Sequence, residues 1–221
     1  MIKARKYKII YADPPWPYRD KCHSGKRGVT YKYPTMDVVS IKNMRVPFIT
    51  ENNCALFLWC TSPQLPVGLD VMSAWGFEFK CIAFTWVKLN KNPVYAQDIL
   101  GESIRDKYFP SNVITVGGEN TIVKKLNVYS DFMGMGNYTR ANAEFVLLGM
   151  RGKIKRVSRS VRSTVMTSLE THSKKPDIVR ERIVELFGDI PRIELFARQQ
   201  TQGWDVWGDM VENSLELEGV V

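Results

Sequence analysis

The chain has 221 residues, 44% of them hydrophobic and 24% charged, and a formal net charge of +8. That length and balance suit one soluble globular domain with a substantial core, and no apolar run reaches membrane-spanning length. The positive excess points to a polyanionic partner, while four cysteines without CxxC spacing and two separated histidines (His23 and His172) give neither a disulfide frame nor a metal cluster.

A basic start, Met1–Lys6, leads straight into Tyr7-Lys8-Ile9-Ile10-Tyr11-Ala12, which reads as a buried strand with no signal-peptide stretch before it. Asp13-Pro14-Pro15-Trp16 follows at the strand's mouth, and ligands of open α/β sheets bind at the carboxyl ends of strands. The four residues suit one task, which is to hold a flat ring that bears an amine. A ring amine is a poor nucleophile because its lone pair is delocalised. A carboxylate accepts hydrogen bonds only, and a proline offers a carbonyl with φ already fixed. Asp13 and the Pro14 carbonyl can thus take the two amine hydrogens and free the lone pair, with Trp16 as a surface for the ring. Asp and Pro also form ordinary turns at strand ends, so the motif needs the rest of the chain to give it meaning.

Further along, Thr35 caps a predicted short helix that runs to about Met44, and Ala55–Trp59 reads as a second buried strand. A helix is predicted over Gln64–Trp75, closed by Gly76, and a third strand over Phe79–Lys88. From about 90 to 136 no period is visible, and that stretch reads as an insertion over the active-site face. Its Gly134-Met135-Gly136 does not complete a dinucleotide-binding fingerprint, and it precedes a strand instead of opening a helix. Phe145–Leu148 is a strand. The segment at about 151–164 carries Arg151, Lys153, Lys155, Arg156, Arg159 and Arg162 with no acid among them, and reads as a flexible basic arm for phosphates. Pro176 opens a helix with Val179, Ile183, Leu186 and Phe187 on one face and Gly188 at its end; Arg192–Phe196 is a late strand. Asp209–Val221 is acidic and reads as a fraying tail. Strands alternating with helices argue for an α/β fold with a doubly wound, largely parallel sheet, in one domain over 1–221.

Taken in order, the blocks resemble the DPPW family of adenine N6-methyltransferases, the family of the messenger-RNA adenosine methyltransferase catalytic subunit. The resemblance rests on Asp13–Trp16, Tyr33-Pro-Thr-Met36, Leu56–Trp59 with Trp75-Gly-Phe77 and Trp86-Val-Lys88, Gly136–Arg140 with Glu144, Ser173–Pro176, Glu194–Arg198, and Gly203-Trp204 with Gly208. It implies a Rossmann-like fold dependent on S-adenosylmethionine, with helices flanking the sheet and a permuted motif order. It implies Asp13, Pro14, Pro15 and Trp16 as the catalytic set. Tyr33, Arg140 and Glu144 would meet the substrate; the charge of the basic arm, apart from the resemblance, puts Arg156 and Arg159 on its phosphates. Asp13, Lys175, Phe196, Arg198, Gln199, Gln200 and Asp209 would hold the cofactor. Gly208-Asp209-Met210 departs from the family's usual Gly-Asn followed by Glu or Gln. Asp209 can still accept from ribose hydroxyls, whereas Met210 cannot.

The expected function is N6 methylation of adenine in DNA, following the compact bacterial and phage members. RNA is the first alternative, and a catalytically silent nucleic-acid-binding partner subunit the second. A side-chain amide is a third acceptor, which relatives with Asn in the first motif position use. No metal and no membrane are expected. A homodimer or a partner subunit is possible, and the location is the cytoplasm of a prokaryotic or phage-infected cell.

Overall fold

Strands β1 (Tyr7–Ala12) and β2 (Thr50–Cys60) are buried on both faces, and alternation along each strand sorts the two faces. Ile10, Ala12, Leu56 and Leu58 share a cluster with Val71, Met72 and Trp75 of helix α2 (Leu65–Ala74) and its C-cap, and with Ile41 of helix α1 (Val38–Asn43). On the other face Phe57 meets Phe187 of helix α3 (Ile178–Phe187), ring centroids 6.0 Å apart. Helices therefore cover both sides of the sheet, as a doubly wound pattern requires.

The computed structural model describes residues 5–17, 35–91, 94–95, 113–116, 119–122, 127–128, 132–134, 138–170 and 174–217. The remaining strands are β3 (Glu78–Leu89), β4 (Val94–Tyr95), β5 (Val113–Val116), β6 (Glu119–Ile122), β7 (Asn127–Val128), β8 (Ala143–Arg151), β9 (Thr164–Ser168), β10 (Arg192–Leu195) and β11 (Asp205–Trp207). Seven of them form one sheet in the order β11-β10-β1-β2-β8-β3-β9. The pairs β11–β10, β10–β1 and β1–β2 are parallel, and β2–β8 is antiparallel. The carboxyl ends of β1, β2, β10 and β11 thus share one edge, which the amino end of β8 joins.

The chain packs as two units, one of Met1–Trp86, Ala143–Val165 and Asp177–Val221, the other of Val87–Asn142 and Met166–Pro176. Within the second, β4 pairs antiparallel with β7 and β5 with β6. The stretch read as lacking any period therefore holds short strands; four β-branched residues in a row, Val113–Val116, are too few to show one. Gly134 is needed there because a Cβ would overlap the Ala141 carbonyl oxygen.

Three other expectations change. Asp37, not Thr35, caps α1, accepting from the Ser40 N–H at 2.9 Å. The tail folds back as far as Leu217: Ser214 N–H donates to the Val206 carbonyl at 2.8 Å, Val206 N–H to Ser214 Oγ at 3.0 Å, and Leu217 is buried. The side chains of Asn213 and Ser214, which accept from the Gly208 and Val206 N–H groups, and the leucines Leu215 and Leu217 hold a segment whose overall charge suggested fraying.

The basic segment is not a free arm. Lys153 N–H donates to Asn53 Oδ1, Val157 N–H to the Leu186 carbonyl, and the Arg162 and Thr164 carbonyls accept from Arg182 Nη1. It is a strap laid along α3, with its backbone pinned and the side chains of Lys153, Lys155, Arg156, Arg159 and Arg162 exposed.

Candidate active site at the strand ends

Asp13 leaves the carboxyl end of β1, half-buried and engaged within the protein. The backbone after it is held at successive points. The Pro14 carbonyl accepts from Trp16 N–H at 2.8 Å, the Pro15 carbonyl from Met36 N–H at 3.0 Å, and the Pro17 carbonyl from Gln64 Nε2 at 2.8 Å. The Trp16 bond uses one of the two lone pairs of the Pro14 carbonyl oxygen.

Trp16 differs from expectation. It is 4% exposed, within the core, and its Nε1–H donates to the Trp59 carbonyl at 3.0 Å. An indole so covered anchors the motif to β2 and offers no broad stacking face. Trp59 in turn donates from Nε1 to the Tyr11 hydroxyl at 2.6 Å. Tyr11 lies two residues before Asp13 and is fully buried; burial foremost, with the charges of Glu194 and Asp13, pushes its hydroxyl pKa well up.

Next to β1, strand β10 places Glu194 opposite Tyr11 and Leu195 opposite Ala12. Side chains of paired residues on parallel strands leave the same face, so Glu194 enters the interior beside Tyr11. There Arg180 of α3 meets it through two bonds of 2.7 Å, from Nε and Nη2, and reaches Asp177 Oδ1 from Nη1 at 2.6 Å. The guanidinium also lies 5.4 Å from the Tyr11 ring centroid. Burial pushes the Glu194 carboxyl up, the bonds and charge of Arg180 pull it down, and the charges of Asp13 and Asp177 push it up again. Two equal bonds in fork geometry are those of a guanidinium facing a carboxylate, and we take the pair as ionised.

Beyond Leu195, Phe196 turns into the left-handed region at φ 62°, which ends β10 and begins a polar run. Its ring packs edge-on against Trp207, centroids 5.6 Å apart. Arg198, Gln199 and Gln200 follow, all exposed. Gly208 backs this turn, since any Cβ there would overlap the Ala197 carbonyl oxygen. Asp209 is exposed beyond it, and Gln200 and Met210 line a cavity of about 530 Å³ with Val211, Glu212, Asn213 and Ser214. The donor set fits a nucleoside bearing an amino acid. A guanidinium answers a carboxylate, amides and a carboxylate answer ribose hydroxyls, and an aromatic edge answers an apolar chain.

The other expected residues fall in different places. Glu144 is half-buried on β8, one residue from Phe145, which pairs with Cys60 at the carboxyl end of β2, so it shares the edge with Asp13. Its charge, after burial, helps push the Cys60 thiol up to about 12. Arg140 is exposed and Lys175 half-buried, both in the second unit, while Tyr33 lies outside the described residues. The strap does not come to this edge where Val157 binds. It meets the last turn of α3, and that turn leads by Gly188 to the amino end of β10. Arg156 is exposed beside that anchor.

Sequence reasoning gave no site role to Tyr11 or Arg180, and none individually to Trp59 and Glu194, although both fall in blocks that carry the family resemblance. A signal was present: Arg180 sits beside the apolar face of α3, and Glu194 stands alone among Ile193, Leu195 and Phe196. A charge on a buried face calls for its opposite nearby. Among the described residues no cluster suited to a metal occurs, and no helix is long and apolar enough to cross a membrane.

Residues 7–107 and 119–210 match the MT-A70 family. The type II methyltransferase M.MunI of Mycoplasma sp is 31% identical over 98% of this chain and 83% of its own length. The N(6)-adenosine-methyltransferase MT-A70-like protein of Drosophila melanogaster is 22% identical, over 94% of this chain but 27% of its own length. The N(6)-adenine-specific methyltransferase METTL4 of Homo sapiens is 21% identical, over 96% of this chain and 39% of its own length.

Proposed function

This chain belongs to the MT-A70 family, and from that membership and its strand-end geometry we propose that it transfers a methyl group from S-adenosylmethionine to the N6 amine of adenine in DNA. The observation that carries the proposal is the register of β1 with β10. Asp13 and Phe196 each follow the last pair of that register, Ala12 with Leu195, which supports reading Asp13 as the acceptor for the amine and the Phe196–Gln200 turn as the binding set for the methyl donor. DNA is preferred because similarity and matched length are both greater for the type II methyltransferase than for the relatives named for adenosine.

The donor supplies an electrophilic methyl on a sulfonium sulfur, which leaves with the bonding pair. Everything else falls to the protein. Asp13 accepts one amine hydrogen and the free lone pair of the Pro14 carbonyl the other, so the nitrogen turns its own lone pair towards the methyl group. The carbonyls of Pro14, Pro15 and Pro17 are already bonded, so little rearrangement is needed on binding. The amine proton goes to Asp13 or to water. Adenine reaches the edge from a single strand or flipped from a duplex, with Tyr33 as the proposed aromatic against it. Arg198, Lys175, Gln199, Gln200 and Asp209 are the proposed cofactor contacts, and Arg140 and Glu144 the proposed substrate contacts. The strap is the proposed phosphate surface, where flanking nucleotides would lie outside the pocket.

The test is nucleoside mass spectrometry on single-stranded DNA, duplex DNA and RNA after incubation with isotope-labelled S-adenosylmethionine. N6-methyladenine is expected in DNA, and Asp13→Ala is expected to lose about 100-fold or more in rate with an unchanged melting temperature. No methyladenine on any polymer overturns the enzymatic reading, and product in RNA alone overturns the choice of DNA.

A further inference from the structure

The Arg180–Glu194 pair lies just below the edge that carries Asp13 and the Phe196–Gln200 turn, yet neither side chain is exposed to a ligand. Three elements meet at one guanidinium. Nε and Nη2 hold β10 through Glu194, Nη1 holds the amino end of α3 through Asp177, and the flat face covers Tyr11 of β1. Tyr11 is then bonded to Trp59, and the Trp59 carbonyl takes the indole N–H of Trp16. From Glu194 to Trp16, every contact is buried.

As a source of stability the pair is a poor choice. Desolvating two ions costs about what their attraction returns, and apolar residues of like volume often serve as well or better. A buried ion pair does give direction. A fork of two bonds tolerates one relative placement of its partners, whereas apolar contacts tolerate several. Here the placement concerns the ends of β1 and β10, one residue beyond Ala12 and Leu195, which pair across the two strands.

We propose that Arg180 is a positioning residue for methyl transfer, fixing through Glu194 and Tyr11 the separation between Asp13 and the Phe196–Gln200 turn. This rests on the functional reading above. No step of the reaction passes through Arg180 itself. Loosening the clamp misaligns two half-sites that must meet within a fraction of an ångström, and such misplacement costs rate more than binding.

The experiment compares the full chain with Arg180→Lys and with the apolar pair Arg180→Met/Glu194→Leu. Melting temperature, S-adenosylhomocysteine affinity by calorimetry, and kcat and KM for methyl transfer are read on each. The apolar pair is expected to melt within a few degrees of wild type, since nothing charged is left buried. It is expected to lose about tenfold or more in kcat, with affinity for S-adenosylhomocysteine weakened severalfold and KM for DNA nearly unchanged. Arg180→Lys, which keeps the charge and loses the fork, is expected to fall between. Wild-type kcat and affinity in the apolar pair overturn the inference and leave the pair as packing. If the apolar pair fails to fold, Arg180→Lys decides, because wild-type kcat in that variant overturns the inference. If wild type transfers no methyl group, the functional reading falls, and S-adenosylhomocysteine affinity in the apolar pair still decides whether the clamp shapes the β10 turn.

Discussion

The Asp13 edge and the cationic strap are held in opposite ways. At the edge side chains are bonded to one another in the interior: Glu194 to Arg180, Trp59 to Tyr11, Trp16 to a β2 carbonyl. On the strap the backbone is bonded, to Asn53, Leu186 and Arg182, and the cationic side chains are left in water. The first arrangement fixes atoms and suits a reaction that needs alignment. The second fixes a path and leaves charge mobile, which suits contact with phosphates of any sequence. If the contrast holds, substitutions at the edge will alter the fold and the rate, while substitutions on the strap will alter binding alone.

The largest break should come from Glu194→Ala. It leaves the Arg180 guanidinium buried without its main partner, and such losses run to about 3–5 kcal/mol. For a chain of this size each kcal/mol lowers the melting temperature by about 2–4 °C. A melt within two degrees of wild type would show that water reaches Arg180 and that the interior there is not sealed. Tyr11→Phe should come next. It removes the acceptor for Trp59 Nε1–H and strands a buried donor, at about 1–3 kcal/mol. Trp16 hangs from the carbonyl of the same Trp59, so kcat should fall along with stability. A Tyr11→Phe protein with normal stability and normal kcat would mean that the chain from Tyr11 to Trp16 does not couple the edge to the core.

How much of this was legible in the chain follows the same division. The buried strands read well because apolar runs are local: Tyr7–Ala12 falls where the pattern puts it, as does the end of α3 at Phe187–Gly188. Asp13 at a strand mouth was legible for the same reason. The Glu194–Arg180 bond was not, since a pairing across fourteen residues depends on which face of β10 meets α3. Trp16 was read as open because its type suits stacking; it is buried in the core, and its indole N–H is bonded to the carbonyl of Trp59, 43 residues away. The strap was read as an arm because its cations were visible and the hydrogen bonds of its backbone were not. Strands β9 and β11 were missed, as five and three residues are too few to carry a period.

The smallest effect on the fold, and the sharpest test of the contrast, belongs to the strap. Arg156, Arg159 and Arg162 are exposed, and none of their side chains supplies the bonds that pin the segment; Arg162 contributes its carbonyl. Replacing all three by Gln should therefore leave stability within about 0.5 kcal/mol, as surface changes usually do. Binding to DNA should weaken, and the slope of log affinity against log salt should flatten by about 0.9 for each duplex phosphate that the variant no longer neutralises. The turnover number at saturating DNA should not move, because none of the three side chains belongs to the chain of buried bonds behind Asp13. A flattened slope with normal kcat would confirm that path and alignment are separate parts of the molecule. A lowered kcat would join them, and would mean that strap charges reach the reacting base. An unchanged slope would return the segment to plain surface and move the search for the phosphate-binding groups to other cations of the chain.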